Sequence, residues 1–228
     1  CSSTIRTARS RTSGECLSDF FFMAPSSQRK EPPEKPGRFS RKIVGHEVHE
    51  VESGEHAAHL LKRTALAEGV HAAGQKPVLH GDNGASLKAT TVLAMLHWLG
   101  IAPSYSRPRV SDDNAYVESL FRTAKYRPGY PVGGFTDLDQ ARRWASDFVR
   151  WYNTDHRHSG IGFVAPAQRH AGHDRALLHS RDALYQAARD RHPRRWSGTT
   201  RDWTPTDVVT LNPERSGNLA LCPKKAAT

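Results

Sequence analysis

Two carboxylates stand out for their surroundings. Asp82 follows Pro77, Val78 and Leu79, a short apolar run expected to form a buried strand, and precedes Asn83 and Gly84, a turn signal. It is therefore expected at a strand exit. Glu118 lies between Asn114 and Ala124, where Val117, Leu120, Phe121 and Ala124 recur at helical spacing. That pattern puts Glu118 beside the apolar stripe of a helix that faces the sheet. Hard divalent cations take oxygen ligands, usually one or two carboxylates plus substrate phosphates. A pair of such ions about 4 Å apart activates an attacking oxygen and stabilises a leaving one in phosphoryl transfer. Asp82 and Glu118 are accordingly the candidate metal ligands.

Their spacing, with 35 residues between them, carries little information without context, because acidic pairs at any chosen separation arise by chance. The context is HGDNG around Asp82, DDNAYVESLFRTAKYRPGYP around Glu118, FSRKIVG at residues 39–45 and WYN at 151–153. Together these motifs resemble the integrase-core transposases of bacterial insertion sequences from about Phe39 to Pro213. The resemblance implies a ribonuclease H-like α/β fold, a mixed sheet flanked by helices, followed by a helical extension. It also implies an Asp, Asp, 35-residue, Glu triad holding two Mg²⁺ (or Mn²⁺) ions, which cuts DNA to free a 3′-hydroxyl and joins that hydroxyl to target DNA. Asp82 and Glu118 match the second and third members. Lys125, seven residues after Glu118, matches a basic residue placed two helical turns on. A homo-oligomer acting on double-stranded DNA is the implied assembly.

The first Asp is the member without a clear counterpart. In the family, two strands precede the segment that resembles FSRKIVG, and the first of them carries that Asp. Residues 1–38 are instead rich in Ser, Arg, Thr and Pro, and are expected to be mostly disordered and without the first strands. The loss of similarity before Phe39 suggests a truncated or out-of-frame beginning. Asp19, in SDFFFMAP, is the acid placed to substitute, although its neighbours do not resemble the family's strand. Two functional readings follow. One is a metal-dependent DNA strand-transfer domain, as a degenerate copy; the other is a catalytically inactive remnant that binds DNA.

Composition agrees with a polyanionic partner: 33 Lys plus Arg oppose 23 Asp plus Glu, a formal charge of +10. Arg107, Arg109, Lys125, Arg127, Arg194 and Arg195 are the candidate contacts to nucleic acid, with ordinary surface charge as the competing reading for Arg107 and Arg109. Residues 192–205 mix Arg with Trp196 and Trp203, which suits either nucleic acid or a loop pinned by tryptophan. Cys1, Cys16 and Cys222 form no CxxC pair, so neither a disulfide framework nor a zinc site is indicated. FFFMA at residues 20–24 is too short to span a membrane, and a cytoplasmic protein is expected. No phosphate-loop motif for an ATP-driven motor is present.

The elements that must position these residues follow from pattern. Residues 41–51 alternate as a strand. Ser53 caps a helix running to Glu68, and Ser86–Leu99 form a second helix with Trp98 in the core. A short strand at 101–105 precedes the polar loop before the Glu118 helix. Phe135–Asn153 form the most strongly periodic helix, started by Thr136 and Asp139, and residues 174–190 form a basic one. His56 and His59 are read as exposed, and His156 and His158 as structural or DNA-facing. The division expected is 1–38 as a non-homologous segment, 39–170 as catalytic core, 171–213 as basic helical extension and 214–228 as tail.

Overall fold

The computed structural model describes residues 39–107 and 115–205, together with the backbone of 18–23. Arg109 and the tail at 214–228 lie outside the described residues. In chain order the elements are β1 (Ser18–Met23), β2 (Ile43–His49), α1 (Gly54–Ala67), β3 (Val78–Gly81), α2 (Thr90–Leu99), β4 (Ala102–Tyr105), α3 (Ala115–Lys125), α4 (Leu138–Thr154), α5 (Pro166–His170) and α6 (Asp174–Arg191). The class is mixed α/β, as expected. Among the described residues β1 and β2 pair antiparallel, β3 and β4 pair parallel, and no strand joins the two pairs.

β1 is a strand within residues 1–38, a segment expected to be mostly disordered and without the first strands. Asp19, Phe20, Phe21 and Phe22 pair antiparallel with Val48, Glu47, His46 and Gly45. The register slips between Phe22 and Met23, which skips Val44. Such a bulge shifts side-chain parity by one. Ile43 and Val48, an odd number of positions apart, are consequently both buried, Ile43 against Phe148 and Val48 against Ala141 and Ala145 of α4. On β2's other side α1 comes very close: a Cβ on Gly45 would lie 2.2 Å from Thr64 Oγ1. β2 is thus wedged between two helices.

α1 begins where Ser53 accepts the Glu55 N–H at 3.1 Å. Its Ala57, Ala58, Leu61 and Ala65 pack on Val92, Leu96 and Leu99 of α2 and on Ile101. β3, α2 and β4 make a βαβ unit, with the strands in parallel register from Val78 opposite Ala102 to Gly81 opposite Tyr105. The second helix is shorter than expected, because a 3-10 turn at Ser86–Lys88 precedes it. Trp98 is a further correction. It is 66% exposed, since Val92, Leu96 and Leu99 fill the inward face and leave it pointing outward.

α4 starts at Leu138 rather than Phe135, with Asp137 as its cap: the carboxylate accepts the Gln140 N–H at 2.6 Å while Gln140 Oε1 accepts the Thr136 N–H at 2.7 Å. The reciprocal pair is therefore Asp137 and Gln140, not Thr136 and Asp139. Beyond α4, α5 anchors the chain ahead of β2, because Arg169 donates to the Phe39 carbonyl at 2.8 Å and pairs with buried Asp174 at 2.9 Å. Leu178 of α6 packs with Ile161, Val164 and Trp203. Burial of Trp203 favours the tryptophan-pinned loop for residues 192–205, with Tyr185 edge-on to Trp203 and Trp196.

Candidate functional site

Asp82 is half-buried one residue beyond β3, where the parallel pair with β4 ends. Its Oδ1 accepts the Gly84 N–H at 3.0 Å, an Asx turn that fixes the carboxylate at the strand's exit. Next to it, Asn83 Nδ2 donates to the Ser106 carbonyl at 2.7 Å, and the Ser106 N–H donates to the Gly81 carbonyl at 3.0 Å. These bonds tie the Asp82 turn to the chain leaving β4, so exposed Arg107 emerges beside that turn.

Glu118 is in the first turn of α3. The inward face of this helix carries Leu120 and Ala124, which pack with Ile43, Phe148, Val149 and Tyr152. Two helical positions are about 200° of rotation, so Glu118 points away from that core. It is exposed, on a helix whose inward face packs on Ile43 of β2. Exposed Arg122 and Lys125, four and seven positions on, share its stripe. A carboxylate with two cations behind it suits a phosphate-bearing ligand.

Asp82 belongs to the unit built from α1, α2 and the parallel strands, Glu118 to the one built from β2, α3 and α4. No hydrogen bond joins the two carboxylates, and among the described residues no group of three or more His, Cys, Asp or Glu is placed to hold a metal ion. Asp19 is on β1, opposite Val48, in the antiparallel pair. Its strand is not hydrogen-bonded to β3, the strand that leads to Asp82.

The remaining basic candidates fall into two settings. The Arg127 guanidinium stacks on the Trp151 ring at 3.7 Å, and Trp151 in turn lies 4.9 Å from the His156 ring. Burial, followed by the Arg127 charge, holds the His156 imidazole below its usual pKa. Arg194 and Arg195 are exposed on a 3-10 turn after α6. His56 is not simply solvated, since it stacks on His49 at 3.8 Å, while His59 stays exposed.

Asn153 and Arg41 have structural prominence that the sequence patterns do not disclose. Asn153 binds both backbone groups of Ile43, and Arg41 is buried beside α3. The occurrence of WYN and FSRKIVG in one chain is the signal that links them.

Comparison with known proteins bears on the same regions. Residues 99–166 match the model of the integrase core domain family, a stretch that includes Glu118, Lys125, Arg127 and Asn153 and begins after Asp82. The chain is also similar to an uncharacterised 39.2-kDa protein of insertion element IS476 from Xanthomonas euvesicatoria, with 31% identity over 131 residues. That alignment covers 57% of this chain, which spans 36% of the relative's length. The matched stretch runs from the end of α2 into α5, and over it the chain is similar to the integrase core domain.

Proposed function

We propose that the chain is the DNA-handling core of a transposase with a ribonuclease H-like fold, and that it binds double-stranded DNA without cutting it by itself. The observation carrying this reading is the outer stripe of α3, Glu118, Arg122 and Lys125, inside the segment that matches the integrase core. In the division proposed, residues 39–170 are the core, 171–213 a basic extension and 214–228 a tail, with the active assembly a homo-oligomer in the cytoplasm. Arg107, Arg109, Lys125, Arg127, Arg194 and Arg195 contact phosphates. No helix among the described residues is long and apolar enough to cross a membrane.

Asp82 and Glu118 are the residues that would hold Mg²⁺. Carboxylate oxygens are the donors such an ion takes, and when bound it supplies Lewis-acid stabilisation of phosphate charge. The set is incomplete, however, because the described side chains bring no third acidic ligand to the pair. Two carboxylates alone leave the metal shell short of a ligand, so cleavage by the chain itself is not expected. What the residues do is bind and orient: Lys125 and Arg122 attract a strand to the face of α3, and Arg107 extends that charge to the Asp82 turn.

Titration with Mn²⁺ followed by electron paramagnetic resonance tests the pair. Asp82→Asn and Glu118→Gln should each weaken Mn²⁺ binding about tenfold or more while DNA binding at low salt persists. Unchanged Mn²⁺ binding in both variants would remove these residues from the site.

A further inference from the structure

Arg41 has an unusual combination of properties. Its backbone φ is 60°, in the left-handed region that residues other than glycine rarely adopt. The residue is only 9% exposed, with its guanidinium 4.9 Å from the centroid of the Phe39 ring and 4.4 Å from that of Tyr116. Nε is buried and has no hydrogen-bond partner. The titratable groups that face it are Tyr116 and Tyr152 and, beyond them, His158 with His156 and Arg127, so no carboxylate among the described residues neutralises it.

A buried cation lacking a counter-ion is costly, and so is backbone strain; both persist only where the surroundings dictate them. Here they do. Arg169 fixes the Phe39 carbonyl, Ser40 Oγ accepts the Lys42 N–H at 3.3 Å, and Asn153 holds Ile43. Arg41 is thus locked between three anchors, with tyrosines rather than a carboxylate beside it among the described residues.

The outer end of the guanidinium shows where an anion would sit. A Cβ added to exposed Gly160 would lie 3.4 Å from Arg41 Nη2 and 3.4 Å from both Cε1 and Nδ1 of His158. His158 Nδ1 accepts the Gly160 N–H at 3.1 Å, which assigns the ring proton to Nε2 and makes that nitrogen a donor. Burial, then the charges of Arg41 and His156, push its pKa down to about 4, so at neutral pH the ring is an uncharged donor beside a permanent cation. The His156 ring stands edge-on to it at 5.8 Å, with the Arg127 and Trp151 stack behind.

We propose that Arg41, His158 and the bare backbone at Gly160 form a seat for one phosphodiester oxygen of a nucleic-acid backbone, with His156 and Arg127 along its approach. A guanidinium suits a phosphate oxygen, and a glycine lets the anion come close to the backbone. Tyr116, which roofs Arg41, is in the same first turn of α3 as Glu118, so the seat would hold the DNA strand at the start of that helix. Arg41 is in this account a positioning residue. The choice of a nucleic acid as the phosphate source rests on the DNA reading above.

The test is nuclear magnetic resonance of the His158 ring nitrogens in the full chain, titrated with a dinucleotide and, separately, with a short DNA duplex. Both probes should move the His158 signals to saturation. Gly160→Ala, which puts a methyl on the seat at a position with no positive φ, should abolish the response and keep the fold. The same variant should bind duplex three- to tenfold more weakly, with a salt slope smaller by about one phosphate contact. Arg41→Lys should retain part of the affinity. Duplex binding with no change at His158, or with equal affinity and slope in Gly160→Ala, would overturn the seat and leave DNA binding standing. Failure to bind any duplex at low salt would sink the functional reading instead, and the dinucleotide response alone would then decide the seat.

Discussion

Asn153 binds Ile43 through both of that residue's backbone groups: Nδ2 donates to the carbonyl at 2.9 Å and Oδ1 accepts the N–H at 2.9 Å. The end of α4 is thereby clamped to the start of β2 across 110 positions of sequence. Through that clamp the WYN segment sets the depth at which Ile43 meets Leu120 and Ala124 of α3.

Removing the clamp should cost more than an average hydrogen bond. Asn153→Ala leaves a buried N–H and a buried carbonyl unsatisfied, each worth about 1–3 kcal/mol. Denaturant unfolding should show a loss of about 2–6 kcal/mol with unchanged m-value. A loss below about 0.5 kcal/mol would mean that water replaces the amide without penalty.

The acid limb of stability is assigned to His158. Its pKa is about 4 in the folded protein against an ordinary 6.5, through burial first and the Arg41 and His156 charges next. Because the folded value is the lower one, the unfolded chain takes the proton first. The His158 contribution is therefore complete above pH 6.5 and disappears as pH falls towards 4. Solvent screening of a partly exposed ring reduces it to about 1–2 kcal/mol. His158→Asn, whose amide can still accept the Gly160 N–H, should flatten unfolding free energy against pH across this window. An unchanged slope would assign the acid limb to other groups, such as His156, whose pKa is also lowered.

Much of this architecture is legible in the sequence where a local rule governs it. Ser53 caps α1 as its position predicts, and the apolar stripe of α4 runs through Ala141, Ala145, Phe148 and Tyr152. Asp82 is at a strand exit because Asn83 and Gly84 follow an apolar run. Local rules say less about Trp98: TTVLAMLHWL is apolar nearly all round, so periodicity does not choose the inward face, and α1 and the sheet do. β1 escapes notice because a strand of six residues in a Ser- and Arg-rich stretch acquires its meaning only from pairing with β2. The burial of Arg41 and its distance from any carboxylate depend on contacts from α3, α4 and the 156–160 turn, which no spacing within FSRKIVG reveals. The site was legible as residue types, while the orientation of Glu118 towards solvent was set by which face of α3 Ile43 and α4 cover.

DNA binding should depend strongly on salt. With six candidate basic contacts replacing condensed counterions, affinity should fall by about 10³-fold or more between 50 and 200 mM salt. Anisotropy titrations of an arbitrary duplex and of a cognate element end should give similar slopes. Equal affinity at both salt concentrations would contradict an electrostatic interface.

The most direct measurement is strand cleavage by the purified chain on DNA carrying the cognate element end, in Mg²⁺ or Mn²⁺, with Asp82→Asn and Asp19→Asn run alongside. Binding without nicking or joining is expected, since losing one metal position forfeits stabilisation of either the entering or the leaving oxygen. A deficit of about 4 kcal/mol in that term corresponds to roughly a thousandfold in rate. Metal-dependent cleavage abolished by both substitutions would contradict it and identify Asp19 as the third ligand.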